Sequence, residues 1–229
     1  MSDSQHVSSQ FDEDLSRLRS HVLQMGGLVE AQIAAAIEAY RRHDVKGVEA
    51  IVEGDHRINE LEKAIDDHCA HIIARRQPAA SDLRLVLGVS KIVTDLERSG
   101  DEAKKIAKGV RRIHGNDQPT GRFGAGVRHL AEAALSQMHQ ALDAFARLDT
   151  DEARRVIELD GGLDTEFKSI LRQLITHMME DPRTITTALD IITIARAIER
   201  IGDHAKNVSE QVIYVVEGRD IRYIKEIAQ

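Results

Sequence analysis

Apolar residues recur three or four positions apart along most of this chain, with polar residues between them. Between about residues 12 and 42, for example, Leu18, Val22, Met25 and Val29 follow one another at this spacing. Such a pattern places the apolar side chains on one face of a helix, and it recurs in six segments. The sequence therefore predicts six long helices, at about residues 12–42, 44–76, 81–114, 127–148, 150–180 and 184–217.

Residues 115–126 interrupt this pattern with a proline, several glycines and polar residues. Such dense turn chemistry predicts a boundary between two units, residues 1–115 and 127–229, joined by a linker at 116–126. Pro78 and Pro182 mark corresponding corners, each just ahead of the third helix of its unit. Long helices joined by short turns pack antiparallel. We therefore predict an all-α fold, a tandem repeat of two three-helix bundles with six long antiparallel helices.

One stretch of the third helix occurs twice in the chain. Glu97–Ile106 returns 102 positions later as Glu199–Val208, with Glu, Arg, Gly, Asp, Ala and Lys identical. A period this long indicates two copies of one structural unit. Each copy places a Glu and an Asp four positions apart, on one helix face and close enough to hold a cation between them. The two pairs are Glu97 with Asp101 and Glu199 with Asp203.

The second helix of each unit offers matching oxygen ligands. They are Asp55 and Asn59 in the first unit, and Asp160 and Asp164 in the second. If second and third helices face each other, each unit gathers four side-chain oxygens around one or more hard or borderline cations. Asn59 is neutral, so we expect less negative charge in the first site. For Asp160, which two glycines follow, an acid near a helix start is the competing interpretation.

Basic side chains near the repeated motif provide the main alternative to a metal ion. They can balance the carboxylates in a solvated network of ion pairs. Gly100 and Gly202 favour a site instead, because a glycine inside a helix costs about 1 kcal/mol relative to alanine and usually marks a close approach. The basic residues in question are Arg98, Lys104 and Lys105 in the first copy and Arg200 and Lys206 in the second.

Composition narrows the class of protein. Aromatic residues make up 3% of the chain and tryptophan is absent, which favours helix over sheet. A net charge of −7 disfavours binding to nucleic acid or anionic lipid. Cys69 is the single cysteine, so neither an intrachain disulfide nor a cysteine metal site is expected, and a reducing cytoplasm fits. We expect neither a secretory signal nor a membrane span.

Catalytic motifs are missing from the sequence. It contains no Gly-x-Ser-x-Gly, Walker loop, His-Glu-x-x-His or Rossmann glycines. A ferritin-like di-iron site needs two Glu-x-x-His pairs, and only Glu53 with His56 has this spacing. We therefore expect a protein that is not an enzyme. The alternatives are a metal-dependent phosphohydrolase that uses the paired carboxylates, and a metal-free helical scaffold.

Three segments resemble the PhoU family of phosphate-uptake regulators, namely Ala74–Leu85, Asp95–Ala103 and Glu199–Ala205. The similarity extends from about Phe11 to Val216, and a doubled acidic motif at this separation is specific. Members of the family carry two copies of a three-helix unit with Glu/Asp-x-x-x-Asp pairs. Ser99 departs from the family pattern, which typically has an isoleucine at this position.

The resemblance implies a cytoplasmic adaptor that binds multinuclear metal, often iron or zinc, while oxygen ligands also suit manganese or magnesium. Family members restrain the phosphate-starvation response by contacting the phosphate-regulon sensor histidine kinase and the ATPase subunit of the phosphate ABC transporter. The protein would then associate with the membrane only peripherally, through these partners. The resemblance leaves open whether it forms a homodimer. The implied ligands are Asp55, Asn59, Glu97 and Asp101 in the first unit, and Asp160, Asp164, Glu199 and Asp203 in the second.

Overall fold

A computed structural model describes residues 2–78, 80–115 and 124–222. These residues form six α-helices and no strand, which confirms the predicted all-α class. No helix in these ranges is both long and apolar enough to cross a membrane. The helices are α1 (Ser2–Arg42), α2 (Val48–Arg76), α3 (Ala80–Gly115), α4 (Gly124–Arg147), α5 (Thr150–Glu180) and α6 (Ile185–Glu217).

Some predicted helix limits were wrong. Helix α1 begins at Ser2 instead of near residue 12, because residues 2–11 contain no glycine or proline that would end the helix. Helix α2 begins at Val48 instead of near residue 44, since the Asp44 carboxylate accepts the Lys46 backbone N–H and forms a local turn. Helix α4 begins inside the predicted linker, and residues 116–123 lie outside the described residues.

The six helices pack as two three-helix bundles that lie side by side. Helices α1–α3 form one bundle and α4–α6 the other, and they meet through α3 against α6 and α1 against α4. Helices α3 and α6 run antiparallel, because Gly88 lies against Val215 while Gly109 lies against Ile194. Both glycines let the two helices approach closely at the centre of the molecule.

Polar side chains also link the two bundles at the contact between α3 and α6. The buried Asp95 carboxylate accepts from His204 Nδ1 at 2.8 Å and from Asn207 Nδ2 at 3.0 Å. Towards the other end, Arg112 Nε donates to Asp190 Oδ1 at 2.6 Å. The two repeated motifs therefore lie on neighbouring helices at the interface between the bundles.

Replacement of Asp149 by Ala tests the start of α5. The Asp149 side chain accepts from the backbone N–H groups of Asp151 (3.1 Å) and Glu152 (3.0 Å) and so caps this helix. We expect Asp149→Ala to lower the free energy of unfolding by about 0.5–2 kcal/mol in urea titrations at pH 7. Asp149→Asn, which keeps the acceptor, should lose less. Equal losses in both variants would contradict the capping role.

Candidate metal-binding sites

In the first bundle, acids from α2 and α3 meet across one lysine. Asp55 on α2 is only 4% exposed and points towards α3. Lys104 Nζ lies 2.5 Å from Asp55 Oδ2 and 2.7 Å from Asp101 Oδ1. Because one ammonium group contacts both carboxylates, residues nearly fifty positions apart lie within the reach of a single cation.

Gly100 leaves room for this convergence. A Cβ at this position would lie 3.2 Å from Gln32 Oε1 and 3.8 Å from Asp55 Oδ1. The missing side chain therefore lets an amide from α1 and a carboxylate from α2 reach the backbone of α3. Gln32, which is 7% exposed, is a site residue that the sequence analysis did not identify.

Several buried oxygens in this site have no hydrogen-bond partner among the described residues. They are Gln32 Oε1, Asp55 Oδ1 and Asn59 Oδ1. A buried acceptor without a partner costs roughly 1–3 kcal/mol, and a bound cation can satisfy such an oxygen. All three atoms belong to the oxygen class that hard and borderline cations prefer. The donor set of the first unit therefore fits a metal ion.

Two glutamates extend the acidic site. Burial raises the pKa of Glu97, and the neighbouring Asp101 and Asp55 carboxylates raise it further. The pKa of Glu62 on α2 is also raised, first by burial and then by the charge of Glu97. The four carboxylates thus share one region of negative potential, and the sequence analysis missed Glu62.

The second bundle repeats the arrangement. Lys206 Nζ lies 2.7 Å from Asp160 Oδ2. The pKa of Asp203 is raised by desolvation and then by the charges of Asp160 and Asp164, although its side chain reaches solvent. Burial also raises the pKa of Glu199, and the Asp203 carboxylate acts in the same direction. The charges of the four predicted acids of this unit therefore act on one another.

Gln137 is the counterpart of Gln32. A Cβ on Gly202 would lie 3.3 Å from Gln137 Oε1, and this oxygen also lacks a partner among the described residues. Gln137 is 4% exposed. It follows Gln32 by 105 positions, the same separation as Asp55 and Asp160, so the repeat itself carried a signal for both residues.

The two sites differ beside the glutamate of the motif. In the second site, Arg196 Nη1 lies 3.2 Å from Glu199 Oε1, and its guanidinium carbon lies 4.3 Å from the centre of the Phe167 ring. The repeat places Thr94 and Glu62 at the corresponding positions of the first site. The glutamate of the first site therefore has a second carboxylate near it, whereas that of the second site has a guanidinium group stacked on an aromatic ring.

Lysines occupy the position that a metal ion would take. Within residues 2–78, 80–115 and 124–222, no three His, Cys, Asp or Glu side chains are already arranged to hold an ion. Lys104 and Lys206 form ion pairs with these acids, as in the alternative in which basic side chains balance the carboxylates. Arg200 pairs with Glu102 instead. Metal binding at these acids requires both lysines to move away.

Glu199→Gln should change the dependence of stability on pH. In metal-free protein the raised pKa of Glu199 means that the folded state binds the proton more tightly than the unfolded state. This contribution to stability is complete below the ordinary pKa of about 4.5 and is lost as pH rises through the folded pKa. The variant should therefore melt above the native protein at pH 7, with a difference that shrinks near pH 4. Melting curves recorded in chelator test this, with Glu53→Gln as the control. A melting temperature of Glu199→Gln below that of the native protein at pH 7 would contradict the prediction.

Most of this chain is similar in sequence to proteins of one family. The model of the PhoU domain family matches residues 22–110 and 127–212. The phosphate-specific transport system accessory protein PhoU homolog of Pseudomonas aeruginosa is 48% identical over 220 residues, which cover 96% of this chain and 90% of that protein. The phosphate-specific transport system accessory protein PhoU of Escherichia coli K12 is 43% identical over the same length, with the same coverage.

Solved structures resemble the fold as a whole. The crystal structure of PhoU from Pseudomonas aeruginosa superposes with a TM-score of 0.88 at 47% identity, covering 91% of this chain and 100% of that one. The phosphate transport system regulatory protein PhoU from Streptococcus pneumoniae gives a TM-score of 0.85 at 28% identity, covering 92% and 99%. The matches therefore include both bundles and both acidic sites.

Proposed function

The chain belongs to the PhoU family, and on this premise we propose that it is a cytoplasmic, metal-binding regulator of phosphate uptake. It restrains the phosphate-starvation response when phosphate is plentiful. In this role it acts as an adaptor between the ATPase subunit of the phosphate ABC transporter and the sensor histidine kinase of the phosphate regulon. Its relatives are named accessory proteins of the phosphate-specific transport system, which supports this assignment.

The observation that carries the metal-binding part is the convergence of buried oxygens at two places related by the repeat. Asp55 is almost fully buried, and one of its oxygens has no partner among the described residues. A bound cation supplies the positive charge that holds α2 to α3 and α5 to α6. The ligands that would hold it are Asp55, Asn59, Glu97 and Asp101 in the first unit, and Asp160, Asp164, Glu199 and Asp203 in the second.

Lys104 and Lys206 hold the sites together in the metal-free state. Lys104 contacts acids on both α2 and α3, so the acids keep their positions before a metal ion arrives. A divalent or trivalent ion places more charge among the same oxygens than one ammonium group. The lysines then move towards solvent. Glu210, whose charge already raises the pKa of Lys206, then becomes the ion-pair partner of Lys206.

The ion we propose is iron, zinc, manganese or magnesium. Its ligands are carboxylate and amide oxygens, and the single cysteine, Cys69, is buried elsewhere against the Val86 carbonyl. Such donors suit several of these cations, so intracellular availability decides which is bound. The role is regulatory, and we expect metal-loaded protein not to hydrolyse a generic phosphomonoester.

Deletion of the gene tests the regulatory role. We expect the deletion to leave the phosphate-starvation response active in phosphate-rich medium, measured with a reporter of a starvation-induced promoter. The native gene should restore repression, and a Glu199→Gln/Asp203→Asn copy should not, although its protein accumulates normally. A deletion strain with a normally repressed reporter would overturn the proposed function.

A further inference from the structure

A basic cleft lies between α3 and α6, next to the acids of the two sites. It has a volume of about 290 Å³, and Lys91, Arg98 and Arg222 contribute to its lining together with Asp95 and Gln211. We propose that this cleft binds a phosphoryl oxyanion, either inorganic phosphate or the phosphate group of a nucleotide. Binding of the anion requires no bound metal ion.

The charge of the cleft favours an anion. Three cationic side chains meet here in a chain whose net charge is −7. Neither Lys91 nor Arg98 forms an ion pair among the described residues, and the Lys91 ammonium lies over the Tyr214 ring, 5.4 Å from its centre. Lysine and arginine side chains that converge without a carboxylate partner are the usual means of binding phosphate.

The one acid that lines the cleft already has partners. Asp95 Oδ1 accepts from His204 at 2.8 Å and from Asn207 at 3.0 Å, and both donors belong to α6. At the rim, Arg222 is held by Asp220, whose carboxylate accepts from Nη2 at 2.5 Å and from Nε at 2.9 Å. Lys91 and Arg98 are therefore the two cations available to the ligand.

Gln211 indicates which oxyanion fits. This side chain lines the cleft and is 4% exposed, and its Oε1 has no hydrogen-bond partner among the described residues. A buried acceptor without a partner is costly, and a donor on a ligand in the cleft can satisfy it. Below about pH 6, its second pKa, a phosphate group keeps one proton, so its P–OH can donate to this oxygen. Sulfate has no proton to donate at this pH and should bind more weakly.

The position of Arg98 joins this cleft to the acidic sites. Arg98 also lines a neighbouring cleft of about 320 Å³ together with Asp101, Arg200 and Asp203. Its positive charge partly offsets the raised pKa of the adjacent Glu97. An oxyanion bound to Arg98 thus lies next to acids of both units and can change their affinity for a cation.

Calorimetric titration of chelator-treated protein tests the proposal, because bound metal can then not hold the anion. Inorganic phosphate, ATP and sulfate are titrated at matched ionic strength and at about pH 5.5, below the second pKa of phosphate. We expect saturable binding of one phosphate or one ATP per chain. The ligand that binds more tightly identifies the source of the phosphate group. Sulfate should bind at least about tenfold more weakly. Lys91→Ala should weaken binding by about tenfold, the loss of one charge-assisted hydrogen bond.

Two controls separate the cleft from general electrostatics. Arg75→Ala removes one charge from an exposed position near the end of α2 and should leave the affinity unchanged. Glu199→Gln/Asp203→Asn should bind the anion at least as tightly as the native protein, because it removes negative charge near the cleft. Failure of the metal sites can therefore not be mistaken for failure of this cleft. Absence of binding by phosphate and ATP, equal affinity for sulfate, or unchanged binding by Lys91→Ala would each overturn the proposal.

Discussion

Replacement of Glu199 by Gln and of Asp203 by Asn should remove the metal ion of the second unit and leave that of the first unit in place. Both acids lie in the negative region around Asp160 and Asp164. The amides keep the shape of the side chains but remove two charges, and we expect the affinity to fall by more than the 10- to 100-fold typical of outer-shell changes. Elemental analysis of the purified variant measures the loss.

A matched pair elsewhere on the chain serves as the control for this variant. Glu49 and Glu53 are also four positions apart on one helix, but both are exposed on α2. Glu49→Gln/Glu53→Gln should therefore retain the full metal content. In the absence of metal, Glu199→Gln/Asp203→Asn should melt above the native protein, because the repulsion between the buried Glu199 and the neighbouring Asp203 is gone. Unchanged metal content in this variant would end the ligand assignment.

Gly109→Ala should destabilise the protein, because it crowds the contact between α3 and α6. A Cβ on Gly109 would lie 2.6 Å from Ile194 Cγ1 and 3.0 Å from its Cδ1. Ile194 is fully buried, so α3 and α6 have to separate. Overpacking costs about 1–3 kcal/mol, whereas alanine returns only about 1 kcal/mol of helix propensity. Chemical denaturation should therefore show a net loss.

Gly162→Ala is the control, because nothing lies within 4 Å of a Cβ at this position in the middle of α5. It should stabilise the protein by up to about 1 kcal/mol. In a double-mutant cycle, Ile194→Ala should cost less in the Gly109→Ala background than in the native one, since it removes the clashing atoms. A Gly109→Ala protein as stable as Gly162→Ala would contradict the close contact between α3 and α6.

Much of the fold could be predicted from the sequence, because local patterns determine it. The spacing of apolar residues predicted all six helices, and the interval between Glu97 and Glu199 predicted two equivalent bundles. The convergence of Asp55 with Asp101 also followed from helices that had to face each other. For Asp160, the interpretation as an acid near a helix start was wrong, since α5 begins ten residues earlier at Thr150.

Other parts of the site depend on packing between distant segments. Gln32 and Gln137 come from the first helix of each unit, and nothing near either residue in the sequence indicates that its oxygen reaches a glycine on the third helix. Arg196 reaches Glu199 over the ring of Phe167 only because α5 and α6 pack side by side. Such contacts are set by tertiary structure, which the helical pattern leaves unspecified.

The central claim is that the acids of α2 with α3, and of α5 with α6, hold metal in place of the lysines. An anomalous difference map from crystals of protein loaded with manganese, iron or zinc tests it most directly. The account predicts a peak about 2.0–2.6 Å from oxygens of Asp160 and Asp203, with Lys206 moved away, and a corresponding peak beside Asp55 and Asp101. A map without peaks, in which Lys104 still pairs with Asp55 and Lys206 with Asp160, would contradict it.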